Sequence, residues 1–234
     1  MIALVSQRAG ELGRVCTQEE DEAARRVAEI EELGRRSFFV RADVSRADGN
    51  ERLVAEVAER LGRLDVFVAN AGVARWEELH EVSRDSWELI TGVNLHGVFY
   101  GCRAAAAQMR RQHSGGRIVV TSSVHAVMPG SPLGVYGATK HAVGYLVSVM
   151  AREWGRDGIG VNHVGPGWVD SNINDPSPDF ATPEARASVA EAIPFGGRPA
   201  DPREIGEAVA YFAESTYTTG AYLRVDGGLV IGKY

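Results

Sequence analysis

The chain has 234 residues, 44% of them hydrophobic, enough to bury a full core as one domain over residues 1–234. Its formal charge of −6 excludes the basic footprint of a nucleic-acid backbone binder, and the arginine pairs Arg25-Arg26, Arg35-Arg36 and Arg110-Arg111 stand alone rather than in a basic run. Two cysteines, Cys16 and Cys102, exclude a disulfide framework and fit a reduced, cytoplasmic setting; no Cys-x-x-Cys or histidine spacing suggests a metal.

Ile2-Ala3-Leu4-Val5 reads as the first strand, following Met1 with no charged leader and too short for a membrane span. A second short strand fits at Arg14-Val15-Cys16-Thr17. Eight residues separate the two, fewer than the roughly 10 to 12 that a parallel crossover with its helix needs. Three explanations compete: a truly shortened first unit, segments joined across a missing stretch, or a crossover made by Gln18 to Leu33 alone. Gly10 and Gly13 stand as a possible remnant of a phosphate-binding turn.

Ala23, Val27, Ile30 and Leu33 share one helical face, stopped by Gly34; Leu53, Val57 and Leu61 repeat the pattern before Gly62. Short apolar runs at Ser37 to Val40, Leu64 to Ala69, Arg117 to Thr121, Gly158 to His163 and Ala221 to Val225 read as buried parallel strands. Long helices are predicted over Ser86 to Gln112 and Val135 to Trp154, the latter ended by Gly155, and Asp201-Pro202-Arg203-Glu204 opens another. Strands alternating with helices predict an α/β fold: a doubly wound parallel sheet in three layers, helix over sheet over helix, with its first βαβ unit truncated or incomplete. Residues 165–195 hold five of the nine prolines, as expected of a substrate loop.

Lys140 is one of only two lysines, and it lies four residues after Tyr136. On a helix the two share a face, and a nearby ammonium favours phenolate, making Tyr136 a candidate general acid/base. Ser123 ends the strand before them, at the carboxyl end where ligands bind in such sheets. The six histidines read as surface or packing residues, with His125 and His141 near enough to the motif to line a site; Trp76, Trp87, Trp154 and Trp168 read as packing, Trp168 being next to a cofactor motif.

Ser123 with Tyr136-x-x-x-Lys140, preceded by Asn70-Ala71-Gly72 and by Asn94 in Val93-Asn94-Leu95, resembles the short-chain dehydrogenase/reductase family in its short single-domain subclass. The resemblance runs from about Asp43 to the end and takes in Asp43-Val44, Pro166-Gly167-Trp168-Val169 and Val225-Asp226-Gly227-Gly228; the family's glycine turn is missing in its normal form. It implies an NAD(P)-dependent oxidoreductase that interconverts a secondary alcohol and a ketone. Tyr136 would exchange the proton, Ser123 would hold the substrate oxygen, Lys140 would bind the nicotinamide ribose, and Asn94 would anchor a water. Asp43 and Val44 would flank the adenine, Asn70, Ala71 and Gly72 the adenosine ribose, and Pro166, Gly167 and Val169 the nicotinamide. Glu19, Glu20 and Asp21 would repel a 2′-phosphate, a lean toward NAD over NADP. The resemblance further implies a homotetramer or dimer. The irregular N-terminal region keeps a second reading open, a fold relative that binds a nucleotide or partner without catalysis.

Overall fold

The computed structural model describes residues 2–7, 15–171, 173 and 182–231, with side chains from residue 21 onward. Among the described residues, six strands run in parallel: β1 (Ile2–Gln7), β2 (Ser37–Ala42), β3 (Val66–Ala69), β4 (Gly116–Thr121), β5 (Ile159–Pro166) and β6 (Tyr222–Val225). They pair as two sheets, β1-β2 and β3-β4-β5-β6. The α/β prediction stands, but the strands are not joined in one continuous sheet.

The N-terminal unit differs from expectation. Residues Val15 to Thr17 are not a strand; they begin helix α1 (Val15–Glu32), which among the described residues is the single helix between β1 and its parallel partner β2. This matches the crossover helix, one of the three explanations; residues 8–14 lie outside the described residues. Gln18 onward is strongly helical, with residues such as Glu, Ala and Arg, and the helix extends backward through the short β-branched run. Gly10 and Gly13 lie outside the described residues.

Helix α2 (Ala47–Leu61) ends as its sequence demands: Gly62 sits at φ 84° and returns its N–H to the Ala58 carbonyl. The stretch predicted as one helix from Ser86 is instead α3 (Arg84–Thr91), a wider π-helical segment over Gly92–Gly97, and α4 (Val98–Gln112). Helix α5 (Gly134–Trp154) runs past Gly155 into a tight turn, and Gly158 at φ 72° supplies the stop. Helix α6 (Pro183–Glu191) follows Thr182, whose hydroxyl accepts from the Ala185 N–H. Helix α7 (Pro202–Glu214) opens on a complete capping box between Asp201 and Glu204.

Alternation along β4 divides the core. Ile118 and Val120 join Ile159, Val161, Cys102, Val143 and Val147 beneath α4 and α5, whereas Val119 turns to the other face and packs with Val164, Ala208 and Phe212 of α7. The strands are thus clamped between helices on both sides, and their carboxyl ends emerge together. Strand β3 is the edge of the larger sheet; Val66 and Val68 on it are 38% and 39% exposed.

Candidate active site

The carboxyl ends of β3, β4 and β5 open into a cavity of about 780 Å³. Asn70, Ala71 and Gly72 enter from the loop after β3, Thr121, Ser122 and Ser123 from the end of β4, Tyr136 and Lys140 from α5, and Pro166 to Val169 from the end of β5. Ile205, Gly206 and Val209 of α7 and Glu22 of α1 complete the wall. Of the stretch expected to face substrate, Pro166, Gly167, Trp168, Val169, Ser171 and Ile173 line it; residues 174–181 lie outside the described residues.

Ser123 is buried and extended, and it caps a short turn by accepting the His125 N–H at 3.2 Å on its hydroxyl. Tyr136 lines the same cavity, and the Ser123 hydroxyl acts on its phenol. From the far side the Tyr222 phenol donates to the Ser123 carbonyl at 2.9 Å, and its ring stacks on His163 with centroids 4.6 Å apart. Burial drives the Tyr222 phenol up to about 12 and the His163 imidazole down to about 4, so both are neutral props.

Lys140 is almost wholly buried; its Nζ donates to the Thr121 carbonyl at 2.8 Å and stands 5.6 Å from the Tyr136 ring centre. Burial lowers its pKa to about 8. The expected depression of the Tyr136 pKa is not found. Burial raises it, and only the Ser123 hydroxyl pulls it back.

Asn94 sits in the π-helical segment, fully buried, and does not reach the cavity wall. Its Oδ1 accepts from the Val73 N–H at 2.9 Å and its Nδ2 donates to the Val73 carbonyl at 2.8 Å, with Thr139 Oγ1 at 3.5 Å. The amide therefore clasps the loop that carries Asn70 to Gly72. Asp43 and Val44 are also absent from the wall. Asp43 Oδ1 accepts from the Ser45 N–H and hydroxyl, and the Val44 carbonyl accepts from Asn50 Nδ2, which ties both to the turn into α2. Asn70 accepts from the Thr121 hydroxyl at 2.9 Å, tying the ends of β3 and β4.

Trp76 and Tyr222 escaped sequence reasoning as site components, whereas His125 stands beside the motif where the sequence suggested. His125 lines the cavity and meets Tyr136 edge-on with centroids 6.1 Å apart; its Nδ1 contacts the Met128 carbonyl and burial lowers its pKa. His125 and Leu133 are shared with a second cavity of about 900 Å³, lined also by His141.

A family model described as enoyl-(acyl carrier protein) reductase matches residues 2–230. A 3beta-hydroxysteroid dehydrogenase 1 from Eggerthella lenta is 36% identical over 215 residues, 91% of this chain and 81% of its own. The chain belongs to the short-chain dehydrogenase/reductase family. An L-rhamnose 1-dehydrogenase (NAD(P)(+)) from a Sphingomonas species is 37% identical over 207 residues, 88% of this chain and 80% of its own. The solved gluconate 5-dehydrogenase from Burkholderia cenocepacia, in complex with NADP and tartrate, superposes with a TM-score of 0.85 at 26% identity, covering 98% of this chain and 85% of that one. This short-chain dehydrogenase/reductase is accordingly an NAD(P)-dependent oxidoreductase acting on alcohols, and its relatives carry the names of dehydrogenases, not of binding proteins. Nothing among them favours NAD over NADP. No helix among the described residues is long and apolar enough to cross a membrane.

Proposed function

We propose that the cavity converts a secondary alcohol and its ketone into one another, with Tyr136 as general acid/base, Ser123 holding the reacting oxygen, and Lys140 and Asn94 supporting them. The observation that carries this is that Ser123, Tyr136 and Lys140 line one cavity at the carboxyl end of β4, with the buried Lys140 ammonium 5.6 Å from the Tyr136 ring centre.

The described wall suits the nicotinamide end of a dinucleotide. A Cβ on Gly72 would stand 3.6 Å from Lys140 Nζ and 3.5 Å from Asn94 Oδ1, so glycine leaves the approach to the ammonium clear. Lys140, Asn70, Ala71, Gly72, Pro166, Gly167 and Val169 would hold the group. When bound, NAD or NADP supplies or accepts the hydride.

The remaining work falls to side chains. With its pKa raised, Tyr136 is a neutral phenol at pH 7 and is ready to give its proton to a ketone oxygen. Ser123, held extended by His125 and Tyr222, presents a hydroxyl to that same oxygen. In the oxidative direction Tyr136 must first lose its proton, and the ammonium of Lys140 favours the resulting phenolate. Trp168, Ile173, Val209 and Leu229 line the cavity with apolar surface.

The test is nicotinamide-linked turnover of a panel of alcohols and ketones by wild type and Tyr136→Phe. Loss of about 100-fold or more in kcat is expected for removing a general acid/base; equal turnover would show that the phenol carries no proton. We also infer association of copies through α4 and α5, where Phe99 is 38% and Tyr145 72% exposed, and a cytoplasmic setting in keeping with the free buried thiol of Cys102.

A further inference from the structure

Beside the active cavity lies a second one of about 900 Å³, and the two have His125 and Leu133 as common walls. His125 stands edge-on to Tyr136 with ring centroids 6.1 Å apart, so this boundary is one side chain away from the proposed acid/base. The first cavity, about 780 Å³, must take the nicotinamide end of the cofactor together with the reacting carbons. Sites for drug-sized ligands run from about 300 to 1,000 Å³, so a substrate of that size needs room beyond the first cavity.

The chemistry of the second lining says what would fill it. Leu79, Val127, Leu133, Ala138 and Ala142 bring apolar surface, and Leu79 and Val127 remain 69% and 54% exposed. Apolar side chains left uncovered around a concave surface mark a binding groove. Among the described residues that line it there is no lysine or arginine, whereas Glu77 and Glu78 bring carboxylates. A negative group on the ligand would meet like charge there without a counter-ion. Phe99 and Tyr145, the exposed residues of the inferred contact between copies, are absent from the lining, so this face is not needed for that contact.

We propose that the second cavity is a subsite for the far part of the substrate, so that the preferred substrates are uncharged secondary alcohols and ketones carrying a long apolar chain or ring system. This rests on the assignment of Tyr136 and Ser123 to the reacting oxygen. With the carbinol carbon at those two residues, the rest of the molecule passes His125 and Leu133 and lies along α5 against Ala138 and Ala142. Each methylene buried there adds transfer free energy, whereas a short alcohol such as butan-2-ol ends inside the first cavity.

The experiment measures kcat/KM of the whole protein, with NAD and with NADP, on butan-2-ol, hexan-2-ol, octan-2-ol, decan-2-ol and 9-hydroxydecanoate. Wild type is compared with Ala142→Phe and with Ala138→Phe. Both alanines lie on α5 outside the first cavity, and Ala138 is an exposed position where added bulk does not strain the core. Wild type should gain about two- to fourfold per added methylene from hexan-2-ol to decan-2-ol, and should prefer decan-2-ol to the carboxylate of equal length by at least about tenfold. The variants should stay within about twofold of wild type on butan-2-ol and lose at least about tenfold on decan-2-ol. Equal losses on short and long alcohols would overturn the proposal; if gel filtration shows copies separating as well, the face is an interface between them instead. A flat chain-length series, or a preference for the carboxylate, would also overturn it. Failure of wild type to turn over any alcohol or ketone in a wide panel would overturn the assignment of Tyr136 as well, so the two failures are told apart.

Discussion

Replacing Lys140 by methionine keeps most of the side chain's length and removes its charge. The residue is 2% exposed, and burial takes its pKa from 10.5 to about 8. At about 1.4 kcal/mol per pH unit, keeping that proton in the folded chain at pH 7 costs about 3 kcal/mol. Below about pH 8 folded and unfolded chains both hold the proton and the cost is present in full. Between about 8 and 10.5 the unfolded chain holds more of it, so this group makes stability rise with pH; above 10.5 the cost is gone. Urea unfolding of wild type and Lys140→Met at intervals from neutral pH upward separates this from every other titrating group. The wild type should gain about 3 kcal/mol on the variant across that range, while at pH 7 the variant recovers part of the cost and loses the bond to the Thr121 carbonyl. Turnover should collapse in the variant at all pH values. Parallel stability curves for the two proteins would refute a buried ammonium at this position.

Asn94→Ala frees both polar groups of Val73 and should cost about 1–3 kcal/mol in urea unfolding, with kcat lowered by loosening of the loop from Asn70 to Trp76; Asn94→Asp, which can still accept from the Val73 N–H, should fall between. Phe212→Ala removes the largest side chain between α7 and the strands, 1% exposed, and should lower the unfolding free energy by about 3–5 kcal/mol, read as a shift in urea midpoint without a change in slope.

Much of this was legible because each signal was local. The β-branched run of β4 is apolar on both faces, and glycine at Gly34 and Gly62 marks helix ends where φ turns positive. Tyr136 and Lys140 needed only helical spacing to be placed together. The misses have a different origin. Val15, Cys16 and Thr17 have strand propensity, and only the helical stretch after them, cooperating along α1, overrides it. The π-helical segment at Asn94 adds a wider turn that no residue pattern announces, and within it the amide binds Val73. Asp43 and Val44 follow a strand as expected, and the turn into α2 also holds one carboxylate oxygen of the first and the carbonyl of the second. The sign of the Tyr136 shift and the unpaired indole of Trp76 depend on burial, which sequence spacing does not convey.

The edge of β3 has a bearing on how the chain behaves in a crowded solution. An edge strand offers a row of peptide groups to any other extended segment, and Val66 and Val68 add apolar surface to the invitation. Two features restrain misuse. The strand is only four residues long against six in its neighbour β4, and the paired charges of Arg63 and Asp65, 2.6 Å apart, guard its entrance as gatekeepers against stacking with other copies. The guard against such pairing lies at one short strand, a few residues from the loop that lines the cavity.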